Sequence, residues 1–420
     1  MGRPPGVLPS PSRGLRAGDV NSGAGPRGSF VGSGPSPAWR CRWCRGAEGS
    51  VVLDLGAQPP ADRFPAATDP VEDALFPLRM VLCDRCGLAQ LEEDETRADE
   101  PRGVEPEALV AQARAAVADL TRAGFVERGA RVEEHGSPHG GSWWAPVRDA
   151  VPGVVVAGGG PADLVVDSLG LMHEPDLRSA WLRRVREMSA EGVLALHLHP
   201  LSTIMRDGTW NVLRHGHYSY LSVTMTVEMA RSSELTPVGA WRYPLYGGTW
   251  VLAFARSASV RAASVPPEVS SVIERALEDE SALGVRDPAA VALLGRGVTA
   301  STAALRAWLD GCGDSVVVGY GAASRAVSLF AATGITVRDV RAVVDSSEAK
   351  RGLSMPGSGR PRVPIVGPEA FAELRPDHVL LFVPDLLDEV RRAYPQIEAA
   401  GARWVLAEPE PFVVPPLSGT

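Results

Sequence analysis

The chain has 420 residues, a net charge of −8 at pH 7 and a hydrophobic content of 45%. This length allows two or three domains with a sizeable core, and the acidic balance excludes a general nucleic-acid binder, which needs a basic surface to displace counterions. No apolar run is long enough to span a bilayer and no secretory signal is recognisable, so we expect a cytoplasmic protein with no membrane partner.

The first 39 residues are rich in Gly, Pro, Ser and Arg and show almost no apolar periodicity. Such a segment cannot bury enough apolar surface to offset the entropy lost on ordering, so we predict a disordered tail over 1–39. A basic arm for an acidic partner and a mis-assigned start codon are the alternatives.

Four of the five cysteines form two Cys-x-x-Cys pairs, Cys41 with Cys44 and Cys83 with Cys86, and Cys312 stands alone. In a cytosolic chain this pattern favours a metal over disulfides, and two such knuckles supply the four thiolates of a closed tetrahedral zinc site. We therefore predict a structural zinc module over 40–100, in which the residues between the knuckles fold as an inserted loop. A pair of redox-active dithiols is the alternative.

Residues 101–256 alternate helix-like and strand-like segments, which predicts an α/β domain with a mostly parallel sheet. Apolar residues at helical spacing predict a connecting helix over 104–128. The other predicted elements are helices over 177–188 and 223–233, a short buried strand over 154–157, and strands over 163–167, 192–198 and 250–255. A linker helix over 257–300 follows.

Residues 301–420 have the pattern of a second α/β domain. A helix over 302–309 precedes a strand over 315–318 that runs directly into Gly319-Tyr320-Gly321. A glycine pair after a buried strand lets the N-terminus of the next helix face a phosphate. The next predicted strand, over 340–344, ends at Asp345, and strands over 378–383 and 402–406 complete the sheet.

The segment 213–222 (LRHGHYSYLS) carries two of the eight histidines, at i and i+2. Imidazoles at this spacing share a face only if the segment is extended. Since histidine exchanges protons near neutral pH, we interpret His215 and His217 as candidates for catalysis. A second pair, His197 and His199, is interpreted either as ligands of a further metal or as isolated imidazoles.

The order of these modules resembles that of the deoxysugar C-methyltransferases, three-domain enzymes that methylate C3 of nucleotide-linked 4-keto sugars. The resemblance spans about residues 41–412. Besides the cysteine knuckles, it is carried by the segments DLG at 54–56, CGLAQL at 86–91, HEPDL at 173–177, HYSYLS at 217–222, GYGA at 319–322 and MPG at 355–357.

The resemblance implies a zinc-binding N-terminal module, a central Rossmann-like methyltransferase-type domain that binds S-adenosylmethionine, and a C-terminal Rossmann-like domain that holds a nucleotide-sugar. In the implied reaction a base removes a proton beside the ketone, and the enolate attacks the sulfonium methyl group. The residues that it assigns to proton transfer are His217 as base, with His215, Arg214 and Tyr218 around it. Those assigned to the donor are Glu134, Gly136, Ser137, Gly140 and Asp167, and those assigned to the nucleotide-sugar are Gly319, Gly321, Ala322, Arg325, Asp345 and Lys350.

The donor region departs from the family pattern. The family loop E-x-G-x-N-D-G is present at 134–140, but Pro138 and His139 replace its Asn-Asp pair. Only residues 141–161 separate this loop from the next predicted strand, and neither Asp149 nor Asp163 ends a recognisable second strand that would hold the donor ribose. We therefore predict a truncated donor pocket.

The histidine segment departs as well, because Arg214 replaces a family Tyr and Gly216 replaces a family Glu that would orient the base. Two functions follow. The first is a C-methyltransferase acting on a nucleotide-linked deoxysugar or related ketone in secondary metabolism. The second is a repurposed or non-catalytic member with an eroded donor pocket: a partner subunit of another enzyme of the pathway, a sugar-nucleotide binder, or a donor-independent keto-sugar enzyme.

Overall fold

The structure is a computed structural model that describes residues 34–36, 38–96 and 105–417. Most of the predicted tail over 1–39 therefore lies outside the described residues. The described strands are β1 (Gly49–Gln58), β2 (Phe76–Cys83), β3 (Ala89–Leu91), β4 (Arg131–Gly136), β5 (Val155–Val156), β6 (Ala162–Ser168), β7 (Met188–Leu198), β8 (Ser219–Tyr220), β9 (Leu235–Tyr243), β10 (Thr249–Arg256), β11 (Val317–Tyr320), β12 (Val343–Val344), β13 (Ile365–Val366), β14 (His378–Leu381), β15 (Arg403–Leu406) and β16 (Phe412–Val413). The described α-helices are α1 (Glu107–Arg122), α2 (Trp144–Ala150), α3 (Leu177–Glu187), α4 (Leu201–Asp207), α5 (Val223–Ser232), α6 (Val260–Ala263), α7 (Pro267–Leu283), α8 (Pro288–Val291), α9 (Leu294–Gly311), α10 (Ser324–Thr333), α11 (Phe371–Leu374), α12 (Leu387–Ala393) and α13 (Pro395–Ala399).

The region around the cysteine knuckles folds as an antiparallel sheet in the order β1-β2-β3-β8. The expectation of a loop between the knuckles is wrong, because β1 and nearly all of β2 lie within that segment. The reason is burial: Val52 and Leu53 of β1 and Met80 of β2 have no exposed surface. Trp39, which the tail prediction included, is also buried. The fourth strand, β8, comes from the histidine segment.

The central sheet has the strand order β5-β4-β6-β7-β10-β9. Strands β5, β4, β6 and β7 run parallel, whereas β10 is antiparallel to both of its neighbours. Leu164 and Val166 of β6 pack with α1 and α2, and Val165 packs on the other face with α3, α5 and α7, as the two-residue period of a strand requires. The predicted α/β class with a mostly parallel sheet is confirmed.

Strand β5 differs from its prediction. It is only two residues long, and its side chains Val155 and Val156 are 51% and 60% exposed, although the apolar run predicted a buried strand. It lies at the edge of the sheet, and within the described ranges no strand pairs with its outer side. The short connection over 141–161 contributes only α2 and β5 itself. The truncation of the donor pocket stays a prediction.

The C-terminal sheet has the order β13-β12-β11-β14-β15-β16, and all of its pairs are parallel except β15 with β16. The helix predicted over 302–309 is part of the longer α9. Leu53 and Leu78 of the N-terminal sheet share one buried cluster with Leu305 of α9 and Phe330 of α10. The N-terminal and C-terminal sheets are therefore joined by a common core.

None of the helices in the described part of the chain is both long enough and apolar enough to cross a membrane. Two helix ends have well-defined caps. Ser222 accepts from Met225 N at the start of α5 (2.9 Å), and α10 ends at Gly334 in a left-handed conformation with φ of 68°.

Candidate functional site

The four knuckle cysteines lie together in two turns, one before β1 and one between β2 and β3. Cys41 Sγ lies 3.6 Å from Cys86 Sγ, and Cys44 Sγ lies 3.6 Å from Cys83 Sγ. Four sulfurs around a tetrahedral zinc ion with Zn–S bonds of about 2.3 Å stand roughly 3.8 Å apart, so the cluster fits the ion with all four positions filled. This is the donor set of a structural zinc site.

Gln90 links the zinc site to the histidine segment. Its side-chain amide donates to Cys41 Sγ (3.3 Å), and its side-chain oxygen accepts from Arg42 N (2.9 Å). Gln90 belongs to β3, which pairs with β8, and Leu91 N donates to Tyr218 O (3.1 Å). The zinc module therefore fixes the backbone that directly follows His217.

A cavity of about 290 Å³ lies where the histidine segment, the loop after β4 and the loop after β11 meet. Because β4 and β11 both end at this cavity, it lies at the edge where parallel sheets usually bind ligands. Other walls come from the start of α1 and from the segment after β14. The cavity is lined by five of the eight histidines: His139, His173, His197, His199 and His217.

His217 is 7% exposed and lies in a turn in which its N–H donates to Arg214 O (3.3 Å). Its Nε2 accepts from Arg214 Nε (2.7 Å), and its Nδ1 is buried with no partner among the described residues. Burial, reinforced by the Arg214 charge and the neighbouring histidines, holds the pKa of His217 well below 6.5. His217 is therefore neutral at pH 7, and it can take a proton at Nε2 only when Arg214 withdraws.

His215 and Tyr218 do not line the cavity. Gly216 has φ of 81°, so the segment turns between the two histidines, and their imidazoles do not share a face. His215 Nε2 lies 3.1 Å from Pro77 O of β2. The Arg42 guanidinium lies 5.3 Å from the centre of the Tyr218 ring. Both side chains thus contact the zinc module, and their predicted roles beside the base stay predictions.

Three imidazoles converge at the centre of the cavity. One ring nitrogen of each of His139, His173 and His217 lies within 4.8 Å of the other two. The ring centroid of His173 is 4.5 Å from that of His217 and 4.8 Å from that of His139. His173 Nδ1 lies 3.0 Å from Gly216 O and therefore carries the ring proton, which leaves the lone pair on Nε2, 3.3 Å from Ser137 Oγ.

His197 and His199 do not join this cluster. The His197 ring contacts the side-chain amide of Gln112, and His199 Nε2 is buried with no partner in the described part of the chain. Burial lowers the pKa of each imidazole to about 3, so both are neutral. The interpretation as isolated imidazoles fits better than that of metal ligands.

The predicted donor loop faces the cavity only in part. Ser137 and Gly140 line it, whereas Glu134 and Gly136 do not. The Glu134 carboxylate accepts from Ser142 Oγ (2.7 Å) and from the backbone N–H of residue 143 (2.6 Å). It therefore holds the loop against the start of α2.

Asp167, like Glu134, bonds to other residues of the protein and does not face the cavity. It has no exposed surface, its Oδ2 pairs with Arg184 Nε (2.6 Å), and its Oδ1 accepts from Leu171 N (3.1 Å). It does not line the cavity described above. No carboxylate follows β5 either, since residues 157–160 read AGGG. The residues that directly follow β5 thus offer no acidic group for the ribose of a donor, although Glu133 Oε2 of β4 accepts from Gly159 N (3.0 Å).

Of the residues assigned to the nucleotide-sugar, Gly321 in the glycine loop after β11 lines the cavity, as do Arg325, Asp345 and Lys350. Gly319 and Ala322 do not. Asp345 Oδ2 accepts from Ala322 N (2.8 Å), and Lys350 Nζ donates to Ala322 O (2.8 Å), so both side chains hold the loop. The charged group best placed for a ligand is Arg325.

Arg325 sits in the first turn of α10, beside a carboxylate. Its Nη2 lies 3.4 Å from Glu408 Oε2, and its Nε is buried with no partner among the residues described. Burial raises the pKa of Glu408, although Arg325 opposes this shift.

His173 and Tyr246 are among the cavity residues that had no assigned role in the sequence. His173 stands in the HEPDL segment, so the family resemblance marked its position but not its convergence with the other histidines. Tyr246 gave no signal at all. It has φ of 55°, a strained conformation for a residue other than glycine, and its N–H donates to Asp385 Oδ1 (2.9 Å).

Comparison with known proteins agrees with this arrangement. Residues 41–99 match a zinc binding domain family, and residues 244–409 match the family described as C-methyltransferase C-terminal domain. The C-methyltransferase NovU of Streptomyces niveus is 25% identical, over 90% of this chain and 97% of its own.

Solved structures are more distant. A 1,6-didemethyltoxoflavin-N1-methyltransferase from Burkholderia thailandensis is 19% identical, with 36% of this chain and 79% of its own covered and a TM-score of 0.25. A magnesium protoporphyrin IX methyltransferase from Synechocystis is 11% identical, with 35% and 83% covered and a TM-score of 0.26. These scores are too low to carry an argument. Residues 244–409 thus match the C-methyltransferase C-terminal domain family, and the chain is similar over nearly its whole length to a C-methyltransferase.

Proposed function

We propose that the protein binds a nucleotide-linked deoxysugar, or a related ketone, and methylates the carbon beside its keto group. The observation that carries this proposal is that His217, the donor loop and the glycine loop of the C-terminal sheet line one cavity. A base, a methyl donor and a nucleotide anchor must all reach the same substrate, and holding them in place lowers the barrier to reaction. The full-length similarity to a C-methyltransferase supports the reaction type.

In this proposal His217 Nε2 accepts the proton from the carbon beside the ketone. Arg214 occupies that nitrogen in the structure, so it must turn away first. Its guanidinium is then free to pair with the developing enolate oxygen and to stabilise its negative charge. Arg214 would thus gate the base and bind the enolate.

The nucleotide end belongs at the C-terminal sheet. The ten-residue helix α10 begins directly after the glycine loop and presents its N-terminus to the cavity, where a phosphate is favoured. Arg325 is in the same turn and can bind phosphate with two N–H groups. This supports a diphosphate-linked substrate.

S-adenosylmethionine supplies the methyl group when it is bound. Ser137 and Gly140 would hold its methionine end, but β5 is two residues long and no carboxylate follows it for the ribose. This mismatch at the nucleoside end favours a second candidate function, a donor-independent enzyme that enolises the same keto sugar.

Calorimetry on the purified chain separates the two candidates. Methyl transfer requires binding of S-adenosylmethionine, and we expect this binding to be strengthened by a thymidine or uridine diphosphate sugar. Sugar-nucleotide binding without donor binding would leave only the second candidate. Solvent deuterium exchange beside the keto group, lost in His217→Ala, would then identify the donor-independent reaction.

A further inference from the structure

We propose that His139, His173 and His217 form a second metal site, which binds a divalent cation such as Zn²⁺ inside the cavity. Their three ring nitrogens come from the donor loop, the turn after β6 and the histidine segment, and they lie within 4.8 Å of one another. Imidazole is a preferred ligand of zinc, nickel and copper ions. This site is separate from the four-cysteine cluster, which has no free position.

The spacing is close to what a metal requires. With Zn–N bonds of about 2.1 Å, three tetrahedral ligands stand roughly 3.4 Å apart, so the widest pair must close by no more than about 1.4 Å. Three protein ligands leave a fourth position open, which is the arrangement of catalytic zinc sites. All three histidines line the cavity, so the fourth position would open into it.

His173 is already oriented as a ligand. Its Nδ1–H donates to the Gly216 carbonyl (3.0 Å), which fixes the ring and leaves Nε2 free of a proton. A metal-binding histidine typically donates its other ring N–H in this way. The same glycine lies between His215 and His217, so one turn positions two of the three imidazoles.

His217 can join only if Arg214 moves. If the metal binds through Nε2, it takes the lone pair that Arg214 now uses. If it binds through Nδ1, which is buried without a partner in the described structure, the ring proton shifts to Nε2 and meets the N–H groups of Arg214. In either case Arg214 competes with the metal, so removing its charge should tighten metal binding.

His139 connects this site with the departure in the donor loop. It replaces the family Asp, so the change that weakens a donor site supplies the third ligand. The open position would take an oxygen ligand, either water or the keto oxygen of the sugar, which the cation would polarise. A metal-bound His217 cannot act as base, so hydroxide formed from water at the open position would take the proton beside the ketone instead. This inference therefore belongs with the donor-independent candidate and does not depend on methyl transfer.

Cobalt titration of the full chain tests the site. Co²⁺ held by the four cysteine thiolates gives intense charge-transfer absorption, whereas imidazole-bound Co²⁺ gives only weaker ligand-field bands. We expect a second equivalent of Co²⁺ without thiolate character. His139→Asn should weaken its binding by more than the roughly 10–100-fold typical of losing an outer-shell partner. Arg214→Met should strengthen it, and His378→Asn, outside the cavity, should leave it unchanged.

The retained thiolate signal in each variant shows that the zinc module is still folded. The inference is overturned if wild-type protein binds only thiolate-ligated cobalt, or if the second equivalent survives both His139→Asn and His173→Asn. Sugar-nucleotide binding and deuterium exchange in metal-limited protein report on the proposed function separately. If they persist in a protein that binds only thiolate-ligated cobalt, this inference fails and the proposed function does not.

Discussion

Asp167 and Arg184 show, at the scale of single residues, how the fold can use a side chain that the sequence assigns to a ligand. Both are fully or almost fully buried, and they are joined by a 2.6 Å ion pair. A carboxylate at the end of a strand in an α/β sheet is a reasonable cofactor candidate from sequence. Only the packing of α3 on the sheet shows that a cation from that helix already occupies it.

Arg184→Ala should therefore destabilise the protein strongly. Removing one partner of a buried ion pair leaves an uncompensated charge and costs about 3–5 kcal/mol. Arg45→Ala is the matched control, because it breaks an ion pair of 2.7 Å with Asp176 in which both side chains are about half exposed. That loss should stay below about 1 kcal/mol. Urea unfolding measures both, and similar midpoints would contradict the structural role of Asp167.

The buried neutral histidines predict acid sensitivity. Burial lowers the pKa of His197 and of His199 to about 3, below the unfolded value of about 6.5. Below pH 6.5 the unfolded chain binds protons that the folded chain does not. The free energy of unfolding therefore falls by about 1.4 kcal/mol per pH unit for each histidine, down to about pH 3.

His199→Leu should remove the part of this fall in the free energy of unfolding that is due to His199. Comparing urea midpoints of wild type and variant at pH values above and below 6.5 isolates the histidine from the carboxylates, which titrate in both proteins. We expect the variant to lose less stability on acidification. An unchanged pH slope would mean that His199 is protonated or exposed in the folded protein.

At the scale of elements, the apolar pattern of the sequence predicts a helix or strand well where the apolar face of that element is buried in the structure. Helices α3 and α5 and strands β6 and β10 lie within one residue or so of their predictions, because apolar periodicity reflects a buried face. Strand β5 shows the limit of this signal. A run of valines predicts burial, but at an edge burial depends on what packs outside, and that is set by the length of the connection.

The pairing of β3 with β8 was not predictable from the segment itself. Strand β8 has only two residues, Ser219 and Tyr220. Their partners, Ala89 and Gln90, lie far away in the chain. A strand this short has its position determined by the sheet that it joins. The zinc module is consequently part of the scaffold of the histidine segment.

Zinc removal should therefore loosen the backbone of the histidine segment. Hydrogen exchange with and without a strong chelator should show faster exchange in peptides covering 89–91 and 218–220, because Gln90 bonds to Cys41 Sγ and Leu91 N bonds to Tyr218 O. Peptides of β14 in the C-terminal sheet should change little. Faster exchange in β14 alone, or no change near 218–220, would show that the zinc site does not support the histidine segment.

At the scale of the whole molecule, the cavity is a product of three sheets. The sequence indicated the zinc cluster, because its four ligands come in two local pairs, and it indicated the glycine loop, because that motif follows a strand. The convergence of His139, His173 and His217 has no local signature, since the three residues stand in separate segments. Likewise, the turn at Gly216 that separates His215 from His217 follows from a backbone conformation that spacing alone does not specify.

Replacing Arg325 tests whether this cavity binds a nucleoside diphosphate. A hydrogen bond to a charged group contributes about 1.5–3 kcal/mol, so Arg325→Gln should weaken binding of uridine or thymidine diphosphate roughly 10–150-fold. The affinity of Arg325→Lys should lie between those of the wild type and Arg325→Gln. Its ammonium group keeps the positive charge but cannot bind a phosphate with a planar pair of N–H groups. Arg338→Gln, at an exposed position after α10, is the control.

Replacing Glu408 should have the opposite effect on diphosphate affinity, because its carboxylate lies beside Arg325. Its Oε2 lies 3.4 Å from Arg325 Nη2, and its Oε1 accepts from Asn211 Nδ2. Glu408→Gln keeps an acceptor for Asn211 but removes the negative charge that competes with a phosphate for Arg325. We expect tighter diphosphate binding in calorimetry, with a smaller gain when Arg325 is also replaced by Gln. If Glu408→Gln and Arg325→Gln both leave the affinity unchanged, the nucleotide does not bind at this end of the cavity.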